Sequence, residues 1–140
     1  MLDVVSASST DNTVAWYHNL GGGVWSTKQD ITYNSNGARI VDVGDMDGDG
    51  DIDVVAASYY DNKVNWFEND GSGVFPRVHV ISKTAINAQG VQVVDLDGDG
   101  DLDVISASSG DNTVAVYINV LAGKFCEIKR IVDDLSLIHI

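Results

Sequence analysis

The chain has 140 residues, enough for one modest core, and a formal net charge of −13 from 21 acidic and 8 basic residues. So few Lys and Arg, with no basic cluster, argue against a nucleic-acid partner, and no apolar run approaches the roughly 18 residues of a membrane-spanning helix. The lone Cys126 rules out an internal disulfide and reads as a small buried apolar residue.

A shift of 50 residues aligns the chain with itself without gaps, which makes it a repeat array. Asp3-Val4-Val5 lies over Asp53-Val54-Val55 and Asp103-Val104-Ile105. Asp11-Asn12-x-Val14 lies over Asp61-Asn62-x-Val64 and Asp111-Asn112-x-Val114. Asn19, Asn69 and Asn119 coincide, as do Gly23, Gly73 and Gly123, and the aromatics Trp25, Phe75 and Phe125. Between residues 3–28 and 103–128, 14 of 26 positions are identical. The expected units are residues 1–37, a repeat truncated at its start; 38–87, with an acidic loop at 45–53; and 88–132, with an acidic loop at 95–103. Residues 133–140 match nothing in the repeat and read as a tail. The chain opens on a repeat, with no leader pattern before it.

The first unit carries Asp3 where the later units close their acidic loops, but Met1 stands where another Asp would be. One carboxylate cannot hold an ion, so this unit is expected to lack both a site and a first strand. In the complete middle unit, residues 38–44 are predicted as the first strand. Residues 52–58, Ile-Asp-Val-Val-Ala-Ala-Ser, form the second, and their small and branched side chains suggest burial on both faces. Tyr59-Tyr60-Asp61-Asn62 is a turn, residues 63–68 the third strand, and Asn69-Asp70-Gly71-Ser72-Gly73 a second turn. Residues 74–82 form the fourth strand, with Pro76 pointing to an edge position. No helical period occurs anywhere. Four antiparallel strands recurring every 50 residues describe an all-β fold of β-propeller blades, nearly three of them here.

The chemistry concentrates in Asp45-Met46-Asp47-Gly48-Asp49-Gly50-Asp51-Ile52-Asp53 and its copy Asp95-Leu96-Asp97-Gly98-Asp99-Gly100-Asp101-Leu102-Asp103. At about 4 Å, two carboxylates repel by about 1 kcal/mol in water and about 4 kcal/mol at an effective dielectric of 20. Five in nine residues would spring a tight turn open without a cation among them. Oxygen donors without Cys or His select a hard ion, calcium first, about two per chain. Two such ions would bring the net charge from −13 to −9. In the spacing Asp-x-Asp-x-Asp-Gly-x-x-Asp, Asp45, Asp47 and Asp49 share one turn. The Asp51 carbonyl turns inward after Gly50, and Asp53 closes the cage. Asp95, Asp97, Asp99, the Asp101 carbonyl and Asp103 repeat this arrangement. An EF-hand would need Glu at the twelfth position and a following helix; Ala56 and Ser106 stand there, followed by strand patterns.

Loop, Asp-Asn-x-Val turn and Asn-x-Gly-x-Gly-x-Phe turn, in that order, resemble the FG-GAP/VCBS repeat family, which includes the calcium-bearing blades of integrin α-subunit propellers. The resemblance covers about residues 3–132. It implies a β-propeller, calcium in the loop joining the first two strands of a blade, and an extracellular or cell-surface setting.

Nothing at telling spacing suggests catalysis: there is no Ser–His–Asp set, no nucleotide-binding glycine loop and no His pair for zinc. His18, His79 and His139 read as surface or packing residues. The aspartates are more readily explained as calcium ligands than as glycosidase carboxylates. Trp16 and Trp66, on equivalent third strands, are expected to pack within or between blades, with sugar stacking the lesser reading. Tyr59 and Tyr60, on a turn, are weak candidates for ligand contact. Three blades do not close a propeller, so further blades or other copies are the expected partners, in a longer chain, a ring or a head-to-tail filament made by the tail. The expected function is structural or adhesive. The alternatives are a carbohydrate-binding propeller, with glycans or surface proteins as partners, and a non-catalytic part of a secreted polysaccharide-degrading enzyme.

Overall fold

A computed structural model of the protein describes residues 2–132, with side chains described to Cys126. The expected roles of His139 and of the 133–140 tail lie outside the described residues. Thirteen strands and no helix are present among the described residues. The first blade holds β1 (Val4–Ser8), β2 (Thr13–Tyr17) and β5 (Gln29–Thr32), and a two-stranded ribbon of β3 (Asn19–Gly21) and β4 (Val24–Trp25) interrupts it. The second blade is β6 (Ala38–Gly44), β7 (Asp53–Ser58), β8 (Lys63–Glu68) and β9 (Arg77–Ser82). The third is β10 (Ala88–Val94), β11 (Asp103–Ser108), β12 (Thr113–Leu121) and β13 (Lys124–Val132). All pairs are antiparallel; the second and third blades join consecutive strands, as hairpins dictate, and in the first β2 pairs with β5 across the β3–β4 ribbon.

The two complete blades share one register. Gly44 pairs with Asp53 and Val43 with Val54; one repeat later Val94 pairs with Asp103 and Val93 with Val104. Every residue of β7 is buried, as expected for a strand covered on both faces. The fourth strand, expected from residue 74, begins at Arg77, and Pro76 lies just before this edge strand, where its missing N–H breaks no ladder bond. Cys126 corrects the sequence reading: it is exposed. Side chains alternate across a strand, and Phe125 turns in to meet Trp66 at 6.3 Å, which sends Cys126 out from edge strand β13.

The core lies between the blades. One cluster joins Val55, Val64 and Trp66 of the second blade to Val91, Val104 and Tyr117 of the third, and a smaller one joins Val14 of the first to Val54 and Phe67 of the second. The third-strand tryptophans act as the wedges. Trp66 is 2% exposed and covers Gly123 in the next blade's β12–β13 turn, while Trp16 covers Gly73. A Cβ on Gly73 would fall 2.6 Å from the Trp16 ring, so only glycine admits the indole. Packing between blades is therefore the role of both tryptophans.

Hydrogen bonds join the same faces. Asn12 and Asn62 sit at φ of 60° and 57°, and their side-chain oxygens accept the backbone N–H groups of Gly37 (2.9 Å) and Asn87 (2.8 Å) as the chain enters the next blade. Asp42 of β6 accepts the Val93 N–H of β10 at 2.7 Å, tying the first strands of neighbouring blades.

Candidate metal centres

Each acidic loop links the first strand of a blade to the second. Asp45 gathers the first: its Oδ1 accepts the N–H groups of Gly48 (2.8 Å) and Asp49 (3.1 Å), and its Oδ2 accepts that of Gly50 (2.9 Å). Asp47 and Asp49 bond the amides two residues ahead, at 3.3 and 2.9 Å. Asp95 repeats this with Gly98 (2.7 Å) and Gly100 (3.2 Å), Asp97 with Asp99 and Asp99 with Asp101. Gly50 and Gly100 hold φ of 97° and 99°, which a side chain would resist.

This bending brings carboxylates together. One oxygen each from Asp45, Asp47 and Asp49 lie within 4.8 Å of one another, and so do those of Asp95, Asp97 and Asp99. Among the described residues no Lys, Arg or His pairs with either trio. The donor set is oxygen throughout, which suits calcium. Burial, with the charges of Asp49 and Asp45 adding to it, pushes the Asp47 carboxyl above the usual range, and Asp97 is raised by desolvation and then by Asp99. These are the signs of anionic oxygens crowded where a cation would relieve them.

The remaining expected ligands sit differently. The Asp51 side chain lies against Gly71 in the β8–β9 turn, away from the trio, so its carbonyl is what it could offer an ion. Asp53 and Asp103 are fully buried at the starts of β7 and β11, outside the trios. Asp53 accepts the N–H of Met46 at 3.0 Å and of Asn69 at 2.8 Å; Asp103 accepts those of Leu96 (2.8 Å) and Asn119 (2.9 Å). Burial raises Asp53 and these backbone bonds oppose it. Each oxygen keeps a second lone pair, so the bonds leave room for an ion contact. Asp3 repeats the same fastening with the Asn19 N–H at 2.8 Å, without a trio beside it.

Two features escaped the sequence reading. Met46, inside the acidic loop, is 1% exposed and packs in the core between the second and third blades. Asn119 reaches across that interface to donate to the Met46 carbonyl at 2.8 Å. The available signal was an apolar residue between two aspartates of a solvated loop, at Met46 and again at Leu96.

Tyr59 and Tyr60 stand at the other end of β7 from the acidic loop. Their rings meet edge to face at 5.0 Å, the Arg39 guanidinium lies 4.6 Å over the Tyr59 ring, and Tyr60 is 64% exposed. His18 bonds Asp3 at 3.0 Å, and His79 stacks on Trp66 at 4.1 Å and bonds Glu68, which also pairs with Arg77.

The FG-GAP-like repeat model matches residues 1–56 and again 45–106. The chain belongs to the FG-GAP-like repeat family. Its blades are also similar to a solved structure described as recognition of non-reducing terminal N-acetylglucosamine by an Agrocybe aegerita lectin. The TM-score is 0.58 and the identity 21% over 94% of this chain, a likeness of fold. The chain spans 38% of that lectin's length. No curated protein sequence matches the chain.

Proposed function

We propose that this FG-GAP repeat segment is a calcium-held structural or adhesive propeller element of the cell exterior, without catalytic activity. The observation carrying this reading is the doubled aspartate trio, three carboxylates converging within 4.8 Å, without a basic partner among the described residues, in two loops of matching hydrogen bonding. The ligands would be Asp45, Asp47, Asp49, the Asp51 carbonyl and Asp53, and their counterparts Asp95, Asp97, Asp99, the Asp101 carbonyl and Asp103. An ion bound only by the folded chain stabilises it by about 2.7 kcal/mol per site at one hundred times its Kd. At roughly 3 °C per kcal/mol for a chain of this size, calcium should raise the melting temperature by about 8 °C per occupied site. Chelator should remove the gain, and Asp47→Ala or Asp97→Ala should abolish part of it. An identical melt in calcium and in chelator would defeat the proposal.

A second reading is carbohydrate binding. Exposed Tyr60 beside Tyr59 and Arg39, together with the lectin-like fold, favours it. A glycan array tests it: signal lost on Tyr60→Ala would support it, and an array without signal would oppose it. Assembly with other copies or further blades through the 133–140 tail is the corresponding reading for partners, and deletion of residues 135–140 without change in native mass would remove the tail from it.

A further inference from the structure

The first strand of each complete blade carries a β-bulge. Ala38 pairs with Ser58 and Ile40 with Ala57, which leaves Arg39 as the extra residue; Ala88 pairs with Ser108 and Gly90 with Ala107, which leaves Gln89. A bulge re-aims the side chain it frees. Both side chains reach the turn after the blade's second strand, where they meet different chemistry. Gln89 donates to the Ser109 hydroxyl at 2.6 Å, whereas the Arg39 guanidinium lies 4.6 Å over the Tyr59 ring. One backbone device thus occurs twice, and the second blade has fitted it with a cation and two tyrosines.

This group is firmly held yet open to solvent. The Tyr59 and Tyr60 amides donate to the carbonyls of Gly37 (3.0 Å) and Asn36 (3.1 Å). A Cβ on Gly37 would fall 2.5 Å from the Tyr60 ring, so the ring rests on bare backbone. Tyr59 braces Tyr60 edge to face, and Tyr60 still exposes most of its surface.

Positive charge gathers at the same end of the sheet. Ser58, next to Tyr59, pairs with Ala38 and Lys63, and Val64 pairs with Ser82, so Arg39, Lys63 and Lys83 stand at one end of the second blade. Among the described residues none of the three makes an ion pair. The carboxylate of this turn, Asp61, accepts the Asn36 N–H at 3.0 Å, and Asp11 of the neighbouring turn pairs with Lys28. The acidic loop lies at the other end of β7, six residues of strand or about 20 Å away, and the Debye length at physiological salt is about 8 Å. Local charge, rather than the −13 of the whole chain, therefore governs what approaches this end.

We infer that Arg39, Tyr59 and Tyr60 form a platform for an acidic saccharide, a sugar bearing a carboxylate or a sulfate. The inference rests on the carbohydrate reading above and names the class of sugar. The ring lays its C–H face on Tyr60 and its anionic group pairs with Arg39, while Lys63 and Lys83 meet the charges of adjoining units. A neutral sugar would leave the three cations unused. An acidic peptide would meet the cations but offer no ring to Tyr60.

Titration calorimetry of the full chain in calcium tests this with a galacturonate oligomer, a heparin-derived oligosaccharide, an N-acetylglucosamine oligomer and polyglutamate. We expect at least one acidic sugar to bind at least tenfold more tightly than the neutral oligomer and polyglutamate. Galacturonate alone would assign a carboxylate, and the heparin fragment alone a sulfate. Arg39→Gln, the residue type at position 89 of the third blade, should lower that affinity at least tenfold with an unchanged melt. Tyr60→Ala should lower it as well, and Lys124→Gln, in the β12–β13 turn at the opposite end, should not. A neutral sugar bound as tightly as the acidic ones, and lost on Tyr60→Ala, would overturn the inference and leave the carbohydrate reading standing; no sugar bound would remove both. Polyglutamate bound equally well, or an equal loss on Lys124→Gln, would reduce the site to bulk charge and overturn the inference.

Discussion

At the scale of single residues, the repeat provides its own controls. Gly23 and Gly123 both hold φ of 81°, but only Gly123 lies under a tryptophan; a Cβ on Gly23 would meet nothing within 4 Å. Gly23→Ala therefore reads backbone strain alone, and Gly123→Ala reads strain plus displacement of Trp66. Strain at a left-handed position and overpacking each cost about 1–3 kcal/mol. Gly123→Ala should melt at least 3 °C below Gly23→Ala, at roughly 3 °C per kcal/mol; equal melting of the two would remove Trp66 from the account. Asn62 and Asn112 make a second pair. Both have positive φ, but the Asn62 side chain also accepts the Asn87 N–H, whereas Asn112 receives no incoming strand among the described residues. Replacing Asn62 by Ala leaves a part-buried donor unmet, so it should cost about 1 kcal/mol more than Asn112→Ala in urea unfolding.

At the scale of elements, each acidic loop is a clasp on the first hairpin of its blade. Its fastening is the Asp53 or Asp103 carboxylate, whose two oxygens hold the amide of Met46 or Leu96 just past the first strand and the amide of Asn69 or Asn119 at the far end of the third. On the proposed calcium reading, removing calcium should loosen this clasp first. Amide exchange at residues 45–53 and 95–103 should accelerate in chelator by at least tenfold, while the β7–β8 and β11–β12 ladders change less; uniform acceleration would place the ion's effect elsewhere. Much of this architecture was legible in the sequence. Asp-Gly spacing named the loops, the Asp-Asn and Asn-x-Gly-x-Gly turns bounded the hairpins, and the small, branched run of β7 announced burial on both faces. Cys126 was misread because alternation along an edge strand depends on which neighbour turns inward, and the shared apolar character of Phe125 and Cys126 does not say. Met46 was missed for a different reason. Its burial depends on the next blade, 73 residues away at Asn119, and no local pattern records a partner so distant.

At the scale of the whole molecule, one core cluster joins the first blade to the second and another joins the second to the third, so stability is approximately a sum of blades and interfaces. This makes the two acidic loops unequal despite their matching sequences. The loop of the second blade drives Met46 into the interface with the third, where it is 1% exposed and bonded by Asn119. The loop of the third blade carries Leu96 in the same place, and Leu96 is 48% exposed. Disturbing the first loop should therefore undo an interface as well as a clasp, and disturbing the second a clasp alone. Asp47→Ala should lower the melting temperature in calcium more than Asp97→Ala. Burying a large apolar side chain contributes about 1.5–3 kcal/mol, so the gap should be roughly 4–9 °C at about 3 °C per kcal/mol. Met46→Ala in the Asp47→Ala background should then add less than it does alone, since the two changes act on one interface. If the two aspartate variants melt together, or the Met46 effect is fully additive, each loop stabilises only its own blade and the coupling between blades rests on the tryptophan–glycine contacts.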